Sequence, residues 1–445
     1  MCGIIGVFDD KDAVSIVQKG LKIIQNRGKD GIGIAGEDWL THNATKKQSN
    51  NCIGHCLHSI VNLVKQPIIG KGKLVANCEI YNWKSLNKDL DAKNDSELLL
   101  KLLDNLPIKK ALEKLDGVYA FAYWKDDKVY LARDLIGVKP VWYSKKPFAF
   151  ASEKKALPFD AVELNPREIL VYNIKTKKIT KLKRKFFSVE PEHLEPLLTI
   201  KEKLKQLITD AIEKRIPQRK VGVLFSGGID STLIAFMLKK LNVPFTCYTA
   251  ALEEQGMSKA EDLISAEEVA KEHGFKLKVK KINLKEVEEN LKTVVPLIED
   301  SNVTKVGVAL TFYAACQLAK DDDVRVIFSG LGSEEIFAGY DRHKKTVHGN
   351  KECLSGLLKM YERDTYRDDV ITMNSNIELR VPFLDKALVD YALKIPFNYK
   401  LNDESKLILR QAAEDLGINH EFAYRKKRAA QYGSKFDRAI EKLAK

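Results

Sequence analysis

No stretch of this sequence is apolar for the roughly 20 residues that a helical bilayer crossing needs. The first residues, Met1-Cys2-Gly3-Ile4-Ile5-Gly6-Val7-Phe8, lack the basic start and small-residue cleavage site of a secretory leader, so a cytoplasmic protein is expected. Cysteine is sparse. The seven cysteines are scattered and odd in number, which does not suit a disulfide framework. Cys52 and Cys56 are the closest pair, and no second pair stands at metal-ligand spacing. With Cys247, Cys316 and Cys353 they read as separate buried thiols. Internal repeats and low-complexity tracts are absent as well. Neither sign of charge dominates along most of the chain: 74 basic and 61 acidic residues interleave to a net charge of +13. That excess suits an anionic partner such as a nucleotide, and the interleaving suits a solvated surface. Neither a membrane nor a nucleic acid is an expected partner.

What is present points to two domains. The 445 residues, 44% hydrophobic and 30% charged, exceed what one ordinary core accommodates. Up to about residue 185, short β-type runs separated by turn residues alternate with two helical stretches, Ala13–Gln25 and Ser96–Asp104. The β-type runs are Ile4–Phe8, Lys73–Asn77, Val118–Trp124, Lys128–Ala132 and Val141–Tyr143. This is an α+β pattern with mostly antiparallel strands. Phe187 to about Leu197, with two prolines and three acids, reads as a linker. From Ile200, strands at Val221–Phe225, Phe245–Ala250, Lys276–Ile282 and Val324–Phe328 alternate with helices. That alternation predicts a parallel sheet covered on both faces, followed by a mainly helical last hundred residues. The division expected is 1–187 and 198–445.

The second part carries the more specific signal. An apolar strand runs straight into Ser226-Gly227-Gly228-Ile229-Asp230-Ser231 and a helix. Glycines allow a tight turn and close backbone approach, and the first helical N–H groups face an anion. Ser226 and Ser231 add hydroxyl donors, and Asp230 is placed to hold Mg²⁺ against a phosphate. No Gly-Lys-Ser/Thr closes the loop, so it is not a Walker loop. The segment resembles the SGGxDS loop of the ATP pyrophosphatase superfamily, which implies cleavage of ATP between its α and β phosphates. Alone, it leaves amide synthesis, tRNA thiolation and other adenylations open.

Four further segments narrow the choice. Ser329-Gly330-Leu331-Gly332-Ser333-Glu334-Glu335 is similar to the SGEGSDE segment of glutamine-dependent asparagine synthetases; Glu334 stands for the second Mg²⁺-binding acid, and Leu331 replaces a family Glu. Ile298-Glu299-Asp300 matches the segment whose Glu acts as base at the acceptor site. Ile377–Asp385 matches GVExRVPFLD, and Ser405-Lys406-Leu407-Ile408-Leu409-Arg410 matches the segment whose Lys neutralises the reacting phosphate. The resemblance implies ATP contacts from Ser226, Gly227, Gly228, Asp230, Ser231, Ser329 and Gly330, Mg²⁺ on Asp230 and Glu334, and catalysis by Glu299 and Lys406. Arg425-Lys426-Lys427-Arg428 reads equally as a solvated face or as a grip on pyrophosphate.

In the first part, Cys2 follows the initiator Met. Once Met1 is removed, the thiol shares a residue with an α-amine of pKa about 8, which can act as its base. Cys2-Gly3-Ile4-Ile5-Gly6, Arg27-Gly28-Lys29-Asp30, Asn77–Asn82, Asn94–Glu97 and Arg133–Pro140 occur in the order of class II glutamine amidotransferases. That resemblance implies an N-terminal-nucleophile αββα sandwich, with Asn77 and the N–H of Cys78 as oxyanion hole and Glu79 and Asp95 as glutamine contacts. Two residues depart from it. Cys78 replaces a family Gly, and Leu57 replaces the Arg that clamps the glutamine carboxylate. His55, His58 or Lys65 is a substitute for that clamp, and a different amide donor is the other possibility.

The resemblance to asparagine synthetase covers about 90% of the chain. Its implication is aspartate, glutamine and ATP as substrates, with ammonia crossing between the domains through an apolar passage. A homodimer is compatible with it. Amidation of another carboxylate, as in the divergent asparagine synthetase domain-containing branch, a degenerate non-catalytic homologue and a tRNA-adenylating enzyme remain open.

Overall fold

The computed structural model describes residues 2–426 and 430–444. They form two compact units: Met1–Phe186 with Asp364–Asn376, and Phe187–Arg363 with Ile377–Lys445. The unit boundary falls at the start of the Pro-rich segment, and residues 184–196 form neither helix nor strand.

The first unit is built on two antiparallel sheets. One runs, in spatial order, Val162–Glu163, Trp142–Lys145, Phe148–Ala151, Gly3–Phe8, Cys52–Leu57, Gly31–Ala35, Leu40–Thr41. The other runs Lys178–Lys183, Glu168–Asn173, Lys128–Arg133, Gly117–Lys125, Lys73–Ile80, Ile68–Ile69. Side chains alternate across a strand, and here both faces are dry. Ile4 and Phe8 join Ile53, Val75, Ala120, Trp124 and Phe150 in one core that takes side chains from both sheets. Ile5 and Val7 point the opposite way, onto Val14, Val17 and Leu21 of the helix Ala13–Ile23. On the second sheet, Leu74, Ala76 and Phe121 pack under Leu98, Leu99 and Leu102 of the helix Asp95–Asn105. Four layers result, helix–sheet–sheet–helix. Asn94 caps the second helix by accepting from the Glu97 N–H at 2.9 Å.

The second unit holds one wholly parallel sheet in the order Leu277–Ile282, Phe245–Leu252, Val221–Leu224, Val326–Phe328, Glu378–Arg380. Helices such as Ile229–Lys240, Glu261–His273 and Val303–Asp321 supply the crossovers. The fifth strand, three residues within the Ile377–Asp385 segment, is not anticipated by alternation or length. Val221–Leu224 pairs directly with Val326–Phe328, so the loops leaving their carboxyl ends are neighbours, where open α/β sheets bind ligands. No helix among the described residues is long and apolar enough to cross a membrane.

Candidate active sites

In the second unit, the loop after Val221–Leu224 is closed by its own hydroxyls. Ser226 N–H donates to Ser231 Oγ at 3.3 Å, Gly228 N–H to Ser226 Oγ at 3.4 Å, and Ser231 Oγ–H to the Gly228 carbonyl at 3.1 Å. Gly227 has φ +69°, and a Cβ there would lie 2.5 Å from the Ser265 carbonyl carbon, so the turn requires glycine. The helix Ile229–Lys240 begins at once, with Asp230 in its first turn. The neighbouring loop approaches so closely that a Cβ on Gly330 would be 2.6 Å from Asp230 Cβ. Ser329 N–H donates to the Arg380 carbonyl at 3.0 Å, which anchors that loop to the edge strand, and Leu331 N–H donates to Ser329 Oγ at 3.3 Å.

Lys406 is the centre of this site. Its Nζ lies 2.7 and 3.0 Å from the two Asp230 carboxylate oxygens, 2.7 Å from Glu334 Oε1 and 3.0 Å from Ser333 Oγ. Burial works against its charge, but Asp230 and Glu334 outweigh that and raise the ammonium pKa, so the lysine stays charged. Two carboxylates that reach one cation converge on one point. Together with phosphate oxygens they fit the hard oxygen set of Mg²⁺, although no group of three or more His, Cys, Asp or Glu among the described residues forms a metal cage. These contacts do not include Glu299, which is exposed and ends the helix Leu284–Ile298 at φ 54°. Of the basic run, Arg425 binds Glu268 at 2.9 Å and Ser265 Oγ at 3.2 Å; Lys427 and Arg428 lie outside the described residues.

In the first unit, Cys2 is 7% exposed at the start of the strand Gly3–Phe8. Its backbone N–H donates to Asn77 Oδ1 at 3.0 Å, and its sulfur lies 3.5 Å from His58 N. Asn77 is buried, and its Nδ2 has no hydrogen-bond partner among the described residues. A donor left open beside a thiol is able to meet an anionic oxygen formed there.

Strand alternation decides where the Cys78 side chain, which stands for a family Gly, is accommodated. Val75 joins the intersheet core, whereas Cys78 packs with Leu74, Ala76 and Ile80 on the helix-covered face. The Cys78 thiol, pushed well above its usual pKa by burial and then by Asp95, is hydrogen-bonded to Asp95, whose Oδ2 also accepts from Ile80 N–H at 3.1 Å. The thiol therefore occupies the face opposite Asn77. Glu79 is half-buried on the same strand.

His55 does not fit a carboxylate clamp. It is fully buried, its Nε2–H donates to the Ala76 carbonyl at 3.2 Å, and burial pushes it down to about 3 against that bond, so it is neutral. Leu57 is 6% exposed and pairs with Gly31, while Lys65 is exposed. Sequence reasoning missed the use made of Arg27, which donates from Nε to the Cys2 carbonyl at 3.1 Å. Its place in a matched motif was the only signal.

Among protein families, the one described as asparagine synthase matches residues 203–354 and 348–445, and the glutamine amidotransferase domain family matches residues 1–203. A Methanocaldococcus jannaschii protein provisionally named asparagine synthetase (glutamine-hydrolyzing) 1 is 31% identical over 528 aligned residues, spanning 100% of this chain and 96% of its own. The rat asparagine synthetase (glutamine-hydrolyzing) is 31% identical over 468 residues, 94% of this chain and 82% of its own. The human protein of that name is 30% identical, covering 97% and 84%.

Proposed function

This chain belongs to the family of glutamine-hydrolysing asparagine synthetases, and on that footing we propose that it amidates aspartate to asparagine, releasing AMP and pyrophosphate. It is a carbon–nitrogen ligase that uses ATP and takes nitrogen from glutamine. The observation that carries the finer reading is the convergence of Asp230, Glu334 and Lys406 beside two glycine-turned loops. The amides and hydroxyls of residues 226–231, with Ser329 and Gly330, receive the phosphates of ATP. Asp230 and Glu334 would hold Mg²⁺, which supplies charge neutralisation on the leaving diphosphate. Lys406 steadies that diphosphate as the acceptor carboxylate attacks the α-phosphorus, and Glu299 serves as base where ammonia meets the acyl-adenylate.

In the first unit, removal of Met1 frees the Cys2 amine to take the thiol proton. The thiolate attacks the glutamine carboxamide, while Asn77 Nδ2 and the Cys78 N–H face the oxyanion and Glu79 and Asp95 hold the substrate's amino end. The ammonia released is consumed at the acyl-adenylate. Leu331, where the resembled SGEGSDE segment has Glu, favours a second reading in which another carboxylate is the acceptor.

Pyrophosphate release from ATP, Mg²⁺ and aspartate, compared with a panel of other carboxylates, decides between these readings. Cys2→Ala is expected to abolish glutamine-driven synthesis and to leave ammonia-driven synthesis within about twofold. Equal loss of both refutes the division of labour between the units.

A further inference from the structure

Cys2 is held at both ends of its backbone. Its N–H is on Asn77, and its carbonyl is on Arg27, a residue to which the mechanism above gives no task. Arg27 is 0% exposed, and the rest of its guanidinium is engaged by two buried carboxylates: Nη1 meets Glu153 Oε1 at 2.8 Å, and Nη2 meets Asp369 Oδ2 at 2.7 Å. Glu153 is also bound by Lys155 at 2.6 Å. Asp369 comes from the helix Tyr366–Asn374, a piece of chain flanked in sequence on both sides by the second unit yet packed into the first. Three contacts seat it there. Thr365 Oγ–H donates to the Gly137 carbonyl at 2.7 Å, Tyr366 meets Trp142 edge-on at 5.2 Å, and Asn376 Nδ2 donates to the carbonyl of Asn26, the neighbour of Arg27, at 2.9 Å.

A guanidinium is planar and rigid, so anchoring two of its nitrogens fixes where the third points. Burying these charges costs several kcal/mol per ion, and an apolar cluster of the same volume is commonly as stable. What apolar side chains cannot supply is a directed donor at the Cys2 carbonyl. We propose that Asp369 is a positioning residue for the nucleophile, acting through Arg27, so that the glutaminase unit is completed by a helix borrowed from the synthetase half of the sequence. The proposal rests on the reading of Cys2 as nucleophile.

The test uses the full-length protein and three variants, D369N, D369E and the doubly apolar R27M/D369L, with glutamine hydrolysis and thermal unfolding measured on each. Misplacing a reacting group by a fraction of an ångström to an ångström costs about tenfold to a hundredfold in rate. D369N is therefore expected to lower kcat for glutamine hydrolysis at least about tenfold, with KM and the unfolding midpoint little changed, and D369E to recover part of the loss. R27M/D369L is expected to stay folded and to lose kcat equally. The proposal is overturned if D369N keeps its kcat, if only KM moves, or if R27M/D369L hydrolyses glutamine normally. It is overturned too if both asparagine- and leucine-bearing variants lose activity and folding in step. Cys2→Ala separates the two levels: hydrolysis that survives in it sinks the glutaminase reading itself, whereas hydrolysis lost in it but normal in D369N sinks only the role of Asp369.

Discussion

Lys406→Met removes an ammonium that Asp230 and Glu334 share and puts an unbranched apolar chain in its place. Breaking a buried ion pair by deleting one partner costs about 3–5 kcal/mol. Here the Glu334 side chain is 36% exposed, and water screens it, so a discounted cost of about 1–3 kcal/mol is expected. At roughly 2–4 °C per kcal/mol for a domain of this size, the unfolding midpoint of the synthetase unit falls by about 2–12 °C. The two carboxylates then lose the ammonium they share, and a hard divalent ion is the natural replacement. Millimolar MgCl₂ is therefore expected to raise the midpoint of K406M by more than it raises that of the wild type. Adenylation, followed as ATP–pyrophosphate exchange, is expected to fall by about 10²–10³ even with magnesium present, because the cation proposed to steady the diphosphate is gone. The assay is differential scanning fluorimetry with and without magnesium, beside the exchange rate. An unchanged midpoint, or an identical magnesium response in the two proteins, refutes the claim that Lys406 balances the two acids.

Two further outcomes test the same reasoning elsewhere. His55 is neutral in the fold at about 3 but takes up a proton near 6.5 once unfolded, so below pH 6.5 the unfolded chain binds the extra proton and stability falls as pH falls. At about 1.4 kcal/mol per pH unit, some 2–3 kcal/mol of the glutaminase unit's stability goes by pH 4.5, and His55→Gln is expected to flatten that slope in pH-dependent denaturation curves. At Gly339 a Cβ would lie 1.6 Å from Glu334 Oε2 and 2.4 Å from Lys406 Cε, so Gly339→Ala is expected to part that pair and cut pyrophosphate release at least about tenfold while glutamine hydrolysis stays within about twofold; parallel loss of both activities counts against it.

How far the chain could be read depended on whether a signal was local. The strand at Val221–Leu224, its glycine turn and the helix from Ile229 are contiguous, so composition and period suffice to place them. The same holds for the capped helix Asp95–Asn105, which begins one residue before the expected Ser96. Cys78 shows a signal that was available but hidden by motif matching. The motif marks it only as a replacement for a family Gly, whereas simple alternation along Lys73–Ile80 turns its thiol to the face opposite Asn77. The edge strand Glu378–Arg380 is too short to carry a period. The placement of 364–376 has no local signal at all. Its residues favour a helix, but the choice of core rests on partners such as Arg27, Gly137 and Trp142, which lie far off in sequence.

A cation visible in a sequence is not yet a cation available to a substrate, and the glutamine site turns on that distinction. With Leu57 where the class II glutamine amidotransferase pattern has the carboxylate clamp, His55, His58 and Lys65 invite the role. The fold removes His55, which burial pushes down to about 3 and keeps neutral near pH 7. Arg27, a further cation of the same unit, is engaged by Glu153 and Asp369, whose charges raise its pKa despite its burial. His58 stands beside the Cys2 sulfur, and Lys65 is exposed, so each offers at most a single-point contact where an arginine offers a planar pair of donors. A weaker hold on the glutamine carboxylate than a bidentate clamp provides is the expected outcome, measured as a raised KM for glutamine with little change in kcat, because the carboxylate is bound equally in the ground and transition states.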